Sequence, residues 1–377
     1  MRIVIDARLY GPHVAKGLGR YVQQVVDGLL EIDSENEYVV LLRQDNWDDC
    51  PERPNLKKVL APWRWYSIAE QLYLSRLLKK LKPDLVHFPH FNVPLFYRGP
   101  FVVTIHDLIL RRHHSRRAST HGWLVFWLKK RLYLRVIASG IKRAKNIITI
   151  SEFTKNEIIH FYPRAKNKIV VIYEGLTDTR PFLTPKSDDN NALVRYNIVK
   201  PYLLYVGNVY PHKNLEKLLD AYQVLQSKWS GQLILVGQKD YFYDRLEKLA
   251  AKKGFKDKVL CLGYVPDDDL AALYRQAALY VFPSLYEGFG LPPLEAMAQN
   301  LPVICSDIPC LREICGPAAE YFKPTDANDM ANKILNLLSN QNRQTELRQL
   351  GLEQIKKYNW QKTVVEHLKI YQEILNT

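Results

Sequence analysis

Short, nearly all-apolar segments recur along the whole chain, separated by stretches with helical spacing. This alternation limits the fold more than any other feature. In the first half the segments are "RIVID", "YVVLL", "DLVHF", "FVVTIHD", "NIITIS" and "KIVVIY". A strand that is apolar at every position is buried on both faces, as in a parallel sheet with helices on each side. The intervening stretches Arg20 to Leu30 and Ser67 to Leu81 repeat their apolar residues at helical intervals. After the polar, proline-containing run "DTRPFLTPKSDDNN", a second series begins: "PYLLYVGN", "QLILVG", "KVLCLGYV", "LYVFPS" and "PVICSD". The expected class is α/β, with two doubly wound, parallel-sheet domains. The first spans 1–180, a linker 181–199, and the second 200–358. A last helix in 359–377 either completes the second domain or crosses back to the first. Open sheets of this kind bind ligands beyond the carboxyl ends of their strands, so two of them facing each other are expected to form a cleft.

At 377 residues the chain is too long for one ordinary core, and 47% hydrophobic with 24% charged residues suits a folded, soluble protein. No run approaches the roughly 20 apolar residues of a membrane span. The start, "MRIVIDARLY", reads straight into a strand without the apolar run and cleavage site of a secretory signal. Five cysteines, none in a CxxC pair, fit reduced thiols better than a disulfide framework or a zinc site. A cytoplasmic location is therefore expected. The net charge of +14 is unevenly spread. No Asp or Glu falls between Leu108 and Ser151, whereas Arg111, Arg112, Arg116, Arg117, Lys129, Lys130, Arg131, Arg135, Lys142, Arg143 and Lys145 do. Trp123, Phe126, Trp127 and Leu134 lie among these cations. Segment 111–145 thus has two readings: an interfacial helix on the anionic inner face of a membrane, or a core helix with a solvated basic face. Nucleic acid also starts from a basic patch but is not expected as the partner.

Two motifs can carry chemistry. "SLYEGFGLPPLEAMAQ" (284–299) runs from a strand through a glycine loop into a helix that Pro292 and Pro293 suit at its first turn. Backbone N–H groups near Phe289, Gly290 and Leu291 would then face an anion, phosphate above all. Glu287 precedes the glycines and Glu295 falls about one turn into the helix; a carboxylate accepts two hydrogen bonds from a vicinal diol, so sugar hydroxyls suit both. The second motif, "YLLYVGNVYPHKNLEKLLDAY", places Lys213 at a helix start after a strand ending in Gly207. A cation there would meet a phosphate shared with the glycine loop.

"VGNVYPHKN" together with "PSLYEGFGLPPLEAMA" resembles the second domain of the retaining glycosyltransferases of family 4. The likeness extends through "GLGRY", "TIHDL", "ISEFTKNEI", "LGYVPDDDL" and "YNWQKT". It implies the GT-B fold, with a nucleotide-sugar between two Rossmann-like domains and the last helix crossing back to the first, acceptor-binding domain. By resemblance Glu295 would hold the donor ribose, Glu287 the transferred hexose, and Lys213 the leaving diphosphate. Gly288, Phe289, Gly290, Leu291, Asn208 and Val265 would complete the donor site. His106 would line the reaction centre near the acceptor, and Gly17 and Gly19 would let backbone approach the diphosphate. Many relatives carry arginine where this chain has Asn208, and commonly arginine at His212, which leaves phosphate neutralisation mainly to Lys213 and backbone dipoles.

The implied activity is metal-independent, retaining hexosyl transfer from a UDP-sugar such as UDP-glucose, or from GDP-mannose. The acceptor would be a glycan or lipid-linked saccharide in polysaccharide or cell-envelope synthesis. No cofactor is implied beyond the donor substrate. A glycan phosphorylase, a nucleotide-sugar epimerase or a catalytically silent binding subunit on the same scaffold are the alternatives. "GLGRYV" lacks the third glycine of a dinucleotide fingerprint, which argues against hydride transfer. Asp267, Asp268 and Asp269 read as helix-start residues rather than metal ligands. His113 and His114 read as surface residues, while His87 and His90 either face the cleft or pack.

Overall fold

The computed structural model describes residues 1–112, 123–176 and 189–376. The chain divides into two compact units. The first comprises Met1–Arg112, Ser119–Gly175 and Asn359–Thr377, and the second is centred on Leu176–Tyr358.

The first unit holds β1 (Arg2–Ile5), β2 (Glu37–Leu42), β3 (Leu56–Leu60), β4 (Leu85–Phe88), β5 (Phe101–Ile105), β6 (Asn146–Thr149) and β7 (Ile169–Val171). They form one seven-stranded sheet in the order β3-β2-β1-β4-β5-β6-β7, and every pairing is parallel. The second unit holds β8 (Tyr202–Val206), β9 (Gln232–Val236), β10 (Val259–Gly263), β11 (Leu279–Phe282), β12 (Val303–Ser306) and β13 (Ala319–Phe322). Its six-stranded sheet runs β10-β9-β8-β11-β12-β13, again all parallel. Chain order reverses between β1 and β4 in one sheet and between β8 and β11 in the other. These are the switch points beyond which open α/β sheets bind ligands.

The strands at both switch points are buried along nearly their whole length, as in Val4, Val86, Leu203 and Val281. Each such aliphatic side chain contributes about 1.5–3 kcal/mol, which makes the sheets firm platforms for the loops beyond them. Two strands lie outside the apolar pattern of the sequence. β3 carries Lys57 and Lys58, and β13 carries Glu320 and a half-buried Tyr321. Both are edge strands, where charge on the strand guards the open edge.

The helical spacing from Arg20 to Leu30 belongs to a longer helix, Pro12–Ile32. The stretch from Ser67 to Leu81 is less regular than expected. A π-helical turn at Glu70–Leu74 precedes the α-helix Ser75–Leu81, and Glu70 inside that turn is completely buried. The last helix, Trp360–Leu375, belongs to the first unit, as the family resemblance implied. Asp267, Asp268 and Asp269 occupy the first turn of the helix Asp267–Gln276, where the helix dipole favours them. Asp269 also accepts from Arg195 and Tyr196. All five cysteines are free thiols.

Candidate active site

In the second unit, the loops after β8 and β11 are tied to each other. The β8 loop ends in a 3-10 turn, Pro211–Lys213, followed by Asn214 in the left-handed conformation at φ 63°. Asn214 Nδ2 donates to the carbonyls of Pro283 (3.0 Å) and Pro324 (2.8 Å), and Leu285 N–H donates to His212 O (2.7 Å). Residues about seventy positions apart are thereby locked together at the switch point. The result is direct contact between the two motifs: Lys213 Nζ lies 2.6 Å from Glu287 Oε1, with both side chains mostly buried. The ammonium also stands 5.5 Å from the centroid of the Phe282 ring.

Gly290 precedes the helix Leu291–Ala298 with φ 116°, a conformation that disfavours any residue with a Cβ. A Cβ there would also press to 2.9 Å from Leu311 Cδ2. Pro292 stands in the first turn, where its missing N–H leaves no intrahelical bond unmade. The Phe289 ring is buried and packs edge-on to Tyr358, and its carbonyl accepts from Cys310 Sγ. The side chain of Phe289 therefore anchors the loop. Gly288 and Leu291 flank this anchored residue and the cap. Glu295, half-buried on the helix, has Tyr274 Oη 3.5 Å from its Oε2.

Asn208 is engaged within its own loop. Its Oδ1 faces Tyr210 N–H at 3.4 Å, and its carbonyl accepts from Tyr205 Oη at 2.6 Å. It shapes the loop. Val265 is buried after β10, beside an exposed Tyr264.

In the first unit, His106 follows β5 and is held at both ring nitrogens. Nδ1 lies 3.2 Å from Glu174 Oε1 and Nε2 lies 2.9 Å from Pro89 O. Tyr21 packs edge-on against the imidazole, with centroids 4.6 Å apart. Gly17 and Gly19 both lie inside the helix Pro12–Ile32, not in a loop. A Cβ on Gly19 would sit 2.1 Å from Gly11 O, so that glycine serves close packing of the helix on its own entry turn. Around Gly17 a Cβ would meet nothing within 4 Å, so close packing does not require that glycine.

Tyr21 also belongs to a buried hydrogen-bond chain whose direction one carbonyl fixes. His367 Nδ1 lies 2.7 Å from Thr363 O, so Nδ1 donates and Nε2 accepts from Tyr21 Oη at 2.9 Å. Tyr21 Oη then accepts from Thr104 Oγ1 (3.2 Å), which accepts from His87 Nε2 (2.8 Å). His87 Nδ1 accepts from Tyr371 Oη at 2.6 Å. These roles hold because burial keeps both rings neutral, with one donating and one accepting nitrogen each. Burial holds His87 well below the usual imidazole range, and burial with repulsion from His106 brings His367 down to about 4 against the pull of the Thr363 carbonyl. His87 packs rather than facing solvent, and the chain joins the last helix to the sheet beneath His106.

A second buried network stands at the β1–β4 switch point. Arg8, fully buried, donates twice to Asp6, to Glu70 Oε1 (2.7 Å) and to Trp63 O (3.2 Å). Glu70 also accepts from Asn92 Nδ2 (2.7 Å) and from Tyr66 N–H (2.7 Å). Burial pushes the Glu70 carboxyl up, while Arg8 and Asn92 pull it down. Nothing local in the sequence marks Arg8, Glu70, Tyr66, Tyr21 or Glu174. The two switch points could have pointed to the loops, but not to these partners.

Of the basic window, residues 113–122, with His113, His114, Arg116 and Arg117, lie outside the described residues. Several remaining cations are engaged within the first unit. Arg112 makes a two-pronged bond to Glu157 (2.8 and 2.7 Å), Arg111 lies over the Phe161 ring, and Arg143 donates to the carbonyls of Pro94 and Tyr97. On the helix Trp123–Arg143, Trp127, Arg131, Leu132, Arg135 and Lys142 are exposed. No described helix is long and apolar enough to cross a membrane. Among the described residues no group of three or more His, Cys, Asp or Glu is placed to hold a metal ion.

Known proteins share both units. Residues 15–180 match the model "Glycosyltransferase Family 4", and residues 195–354 match "Glycosyl transferases group 1". The chain is 31% identical over 300 residues to O-antigen chain mannosyltransferase B of Escherichia coli, covering 78% of this chain and 75% of that one. It is 31% identical over 278 residues to an O-antigen chain mannosyltransferase of Salmonella typhimurium, covering 74% and 71%. The structure superposes on sucrose-phosphate synthase from Thermosynechococcus elongatus with a TM-score of 0.79, at 21% identity, over 100% of this chain and 99% of that one. At that identity the likeness is one of fold.

Proposed function

The chain belongs to the family 4 glycosyltransferases and has the GT-B fold, and from that membership we propose that it transfers mannose, with retention, from GDP-mannose to a glycan or lipid-linked acceptor of a cell-envelope polysaccharide. The observation that carries the reading is the 2.6 Å contact between Lys213 and Glu287 at the β8–β11 switch point. Glu287 keeps the ammonium where a donor diphosphate would compete for it. The sugar is inferred from the mannosyltransferases that this chain resembles, as is the envelope polysaccharide. This ranks GDP-mannose ahead of the UDP-sugars.

In the reaction the bond from the anomeric carbon to the leaving phosphate oxygen breaks. The acceptor hydroxyl bonds to that carbon on the same face, and its proton passes to the departing diphosphate. Lys213, the N–H groups of Gly290 and Leu291 and the dipole of the helix Leu291–Ala298 offset the charge that develops there. Glu287 meets the hexose, Glu295 the ribose, and His106 lines the acceptor side. On this reading no metal takes part, and turnover is unchanged by EDTA.

Thermal-shift titration with GDP and UDP is the first test. GDP is expected to raise Tm progressively with concentration, since a ligand at 100 times its Kd adds about 2.7 kcal/mol. A larger shift with UDP would overturn the assigned nucleotide. Glu295→Ala is expected to weaken nucleotide affinity by roughly tenfold in calorimetry, the loss of one charge-assisted bond pair; unchanged affinity would remove Glu295 from the ribose.

The protein is further proposed to act in the cytoplasm, on the inner face of the membrane. The exposed stripe of Trp127, Arg131, Arg135 and Lys142 supports this, because one aromatic with several cations suits an anionic surface. Vesicle flotation checks it: binding that needs anionic lipid and falls with salt is expected, and no binding returns the helix to a solvated basic face.

A further inference from the structure

Tyr66 combines two properties that packing alone does not explain. Its backbone is left-handed, at φ 62°, a conformation costly for a residue with a bulky side chain. The residue is nevertheless 63% exposed, so little buried apolar area offsets that cost. The conformation is imposed from beneath. Tyr66 N–H donates to Glu70 Oε2, Glu70 sits on a π-helical turn, and the wholly buried Arg8 and Asn92 hold Glu70 in turn. Arg8 also grips the loop at Trp63 O. Buried ion pairs contribute little net stability, and π-turns and strained backbone concentrate at functional sites. A network of this kind, spanning β1, β4 and the loop after β3, fixes one exposed ring at the switch point of the first sheet.

The chemistry around that ring selects its ligand class. Arg8 is fully engaged, and it stands against two carboxylates, Asp6 and Glu70. The local balance is one positive charge against two negative, which disfavours phosphate. His90, 6.4 Å from the Tyr66 ring, and Phe91, 6.2 Å away, extend the platform without adding cations; His90 is joined through Pro89 to His106, whose Nε2 lies 2.9 Å from Pro89 O. The negative face of an aromatic ring attracts the polarised C–H groups on one face of a pyranose. We propose that Tyr66 is the stacking platform for the sugar ring of the acceptor, held in place by the Asp6–Arg8–Glu70–Asn92 network. The assignment rests on the reading that the first unit takes a saccharide acceptor.

Saturation-transfer NMR on the full chain tests it without turnover. The probes are octyl α-D-manno-, gluco- and galactopyranoside, whose ring and alkyl protons report separately. Ring-proton saturation is expected for at least one glycoside. It should weaken roughly tenfold in Tyr66→Ala and be retained in Tyr66→Phe, because the ring and not the hydroxyl makes the contact. Tyr66→Gly should also lose the signal while melting no lower than the wild type, since it relieves the left-handed strain. Three results would overturn the proposal: no ring-proton signal in the wild type, an undiminished signal in Tyr66→Ala, or saturation confined to the alkyl chain. GDP-induced shifts in Tm, measured on the same variants, should equal those of the wild type. A lost nucleotide shift in the wild type would strike the donor reading instead.

Discussion

The two sheets end in switch points of the same topology, but they build their sites by different means. Beyond β8 and β11 the site rests on backbone: a left-handed Asn214, a left-handed Gly290, a helix start, and one partly accessible ion pair between Lys213 and Glu287. Beyond β1 and β4 it rests on buried side chains: a guanidinium between two carboxylates, and a hydrogen-bond chain through two neutral histidines. On the proposed function, backbone devices would present fixed dipoles to a diphosphate common to every nucleotide-sugar donor. Side-chain networks hold loops whose detail can differ with the acceptor. The contrast implies that damage to the first sheet's site costs stability, whereas damage to the second sheet's site costs rate.

Arg8 gives the largest test. Arg8→Met leaves Asp6 and Glu70 buried without their cation, and removing one partner of a buried ion pair costs about 3–5 kcal/mol. The urea midpoint should fall accordingly, with GDP binding by the folded fraction unchanged. A loss under about 1 kcal/mol, the range of an exposed pair, would mean that the network does not hold the loop. Lys213→Ala probes the other side. It should lower the urea midpoint less than Arg8→Met does, since the Lys213–Glu287 pair keeps some solvent access, but lower kcat by about 10²–10³, the scale of one lost charge stabiliser in a transition state. If the midpoint collapsed and kcat held, the two sites would have been assigned the wrong way round.

This contrast also separates what the sequence disclosed from what it hid. Glu287, Gly290, Pro292 and Glu295 lie within nine consecutive positions, and Lys213 follows its own strand closely. Each therefore had a strand, a turn or a helix start beside it to give it meaning. Arg8, Tyr66, Glu70 and Asn92 are spread over four loops and elements, and singly each reads as an ordinary surface residue. Only the fold makes them neighbours. Apolar runs located the inner strands because both faces there are covered, and β3 and β13 escaped because edge strands tolerate lysine and glutamate. Glycine was misleading in one place. Gly19 suggests a site for ligand approach, yet a Cβ there would run into the backbone carbonyls of Leu9 and Gly11, with Gly11 O nearest.

The histidine chain predicts an acid limb in the stability of the first unit. The folded pKa of His367, about 4, lies below the usual 6.5, and His87 is displaced the same way. The unfolded chain therefore binds protons first. Stability is complete above pH 6.5 and falls as pH drops toward 4, where His367 itself begins to charge among Tyr21, His87 and His106. For His367 the loss is on the order of 3 kcal/mol. Urea midpoints between pH 7 and pH 4.5 should decline, and more shallowly in His367→Gln. Equal slopes in the two proteins would remove His367 from the account.

Tyr371→Phe is the smallest and most selective change. The Thr363 carbonyl fixes the direction of every bond in the chain, so the chain cannot reverse to compensate. Loss of the Tyr371 hydroxyl leaves His87 Nδ1 buried without a donor, at a cost of about 1–2 kcal/mol. The urea midpoint should fall by that amount, while nitrogen chemical shifts should still report the Nε2–H tautomer of His87. A switch to the Nδ1–H tautomer would show that Thr104 donates rather than accepts, and that the order of the chain is not set from the last helix. An unchanged midpoint with an unchanged tautomer would place water on His87, and the last helix would then be tied to the sheet through His367 and Tyr21 rather than through Tyr371.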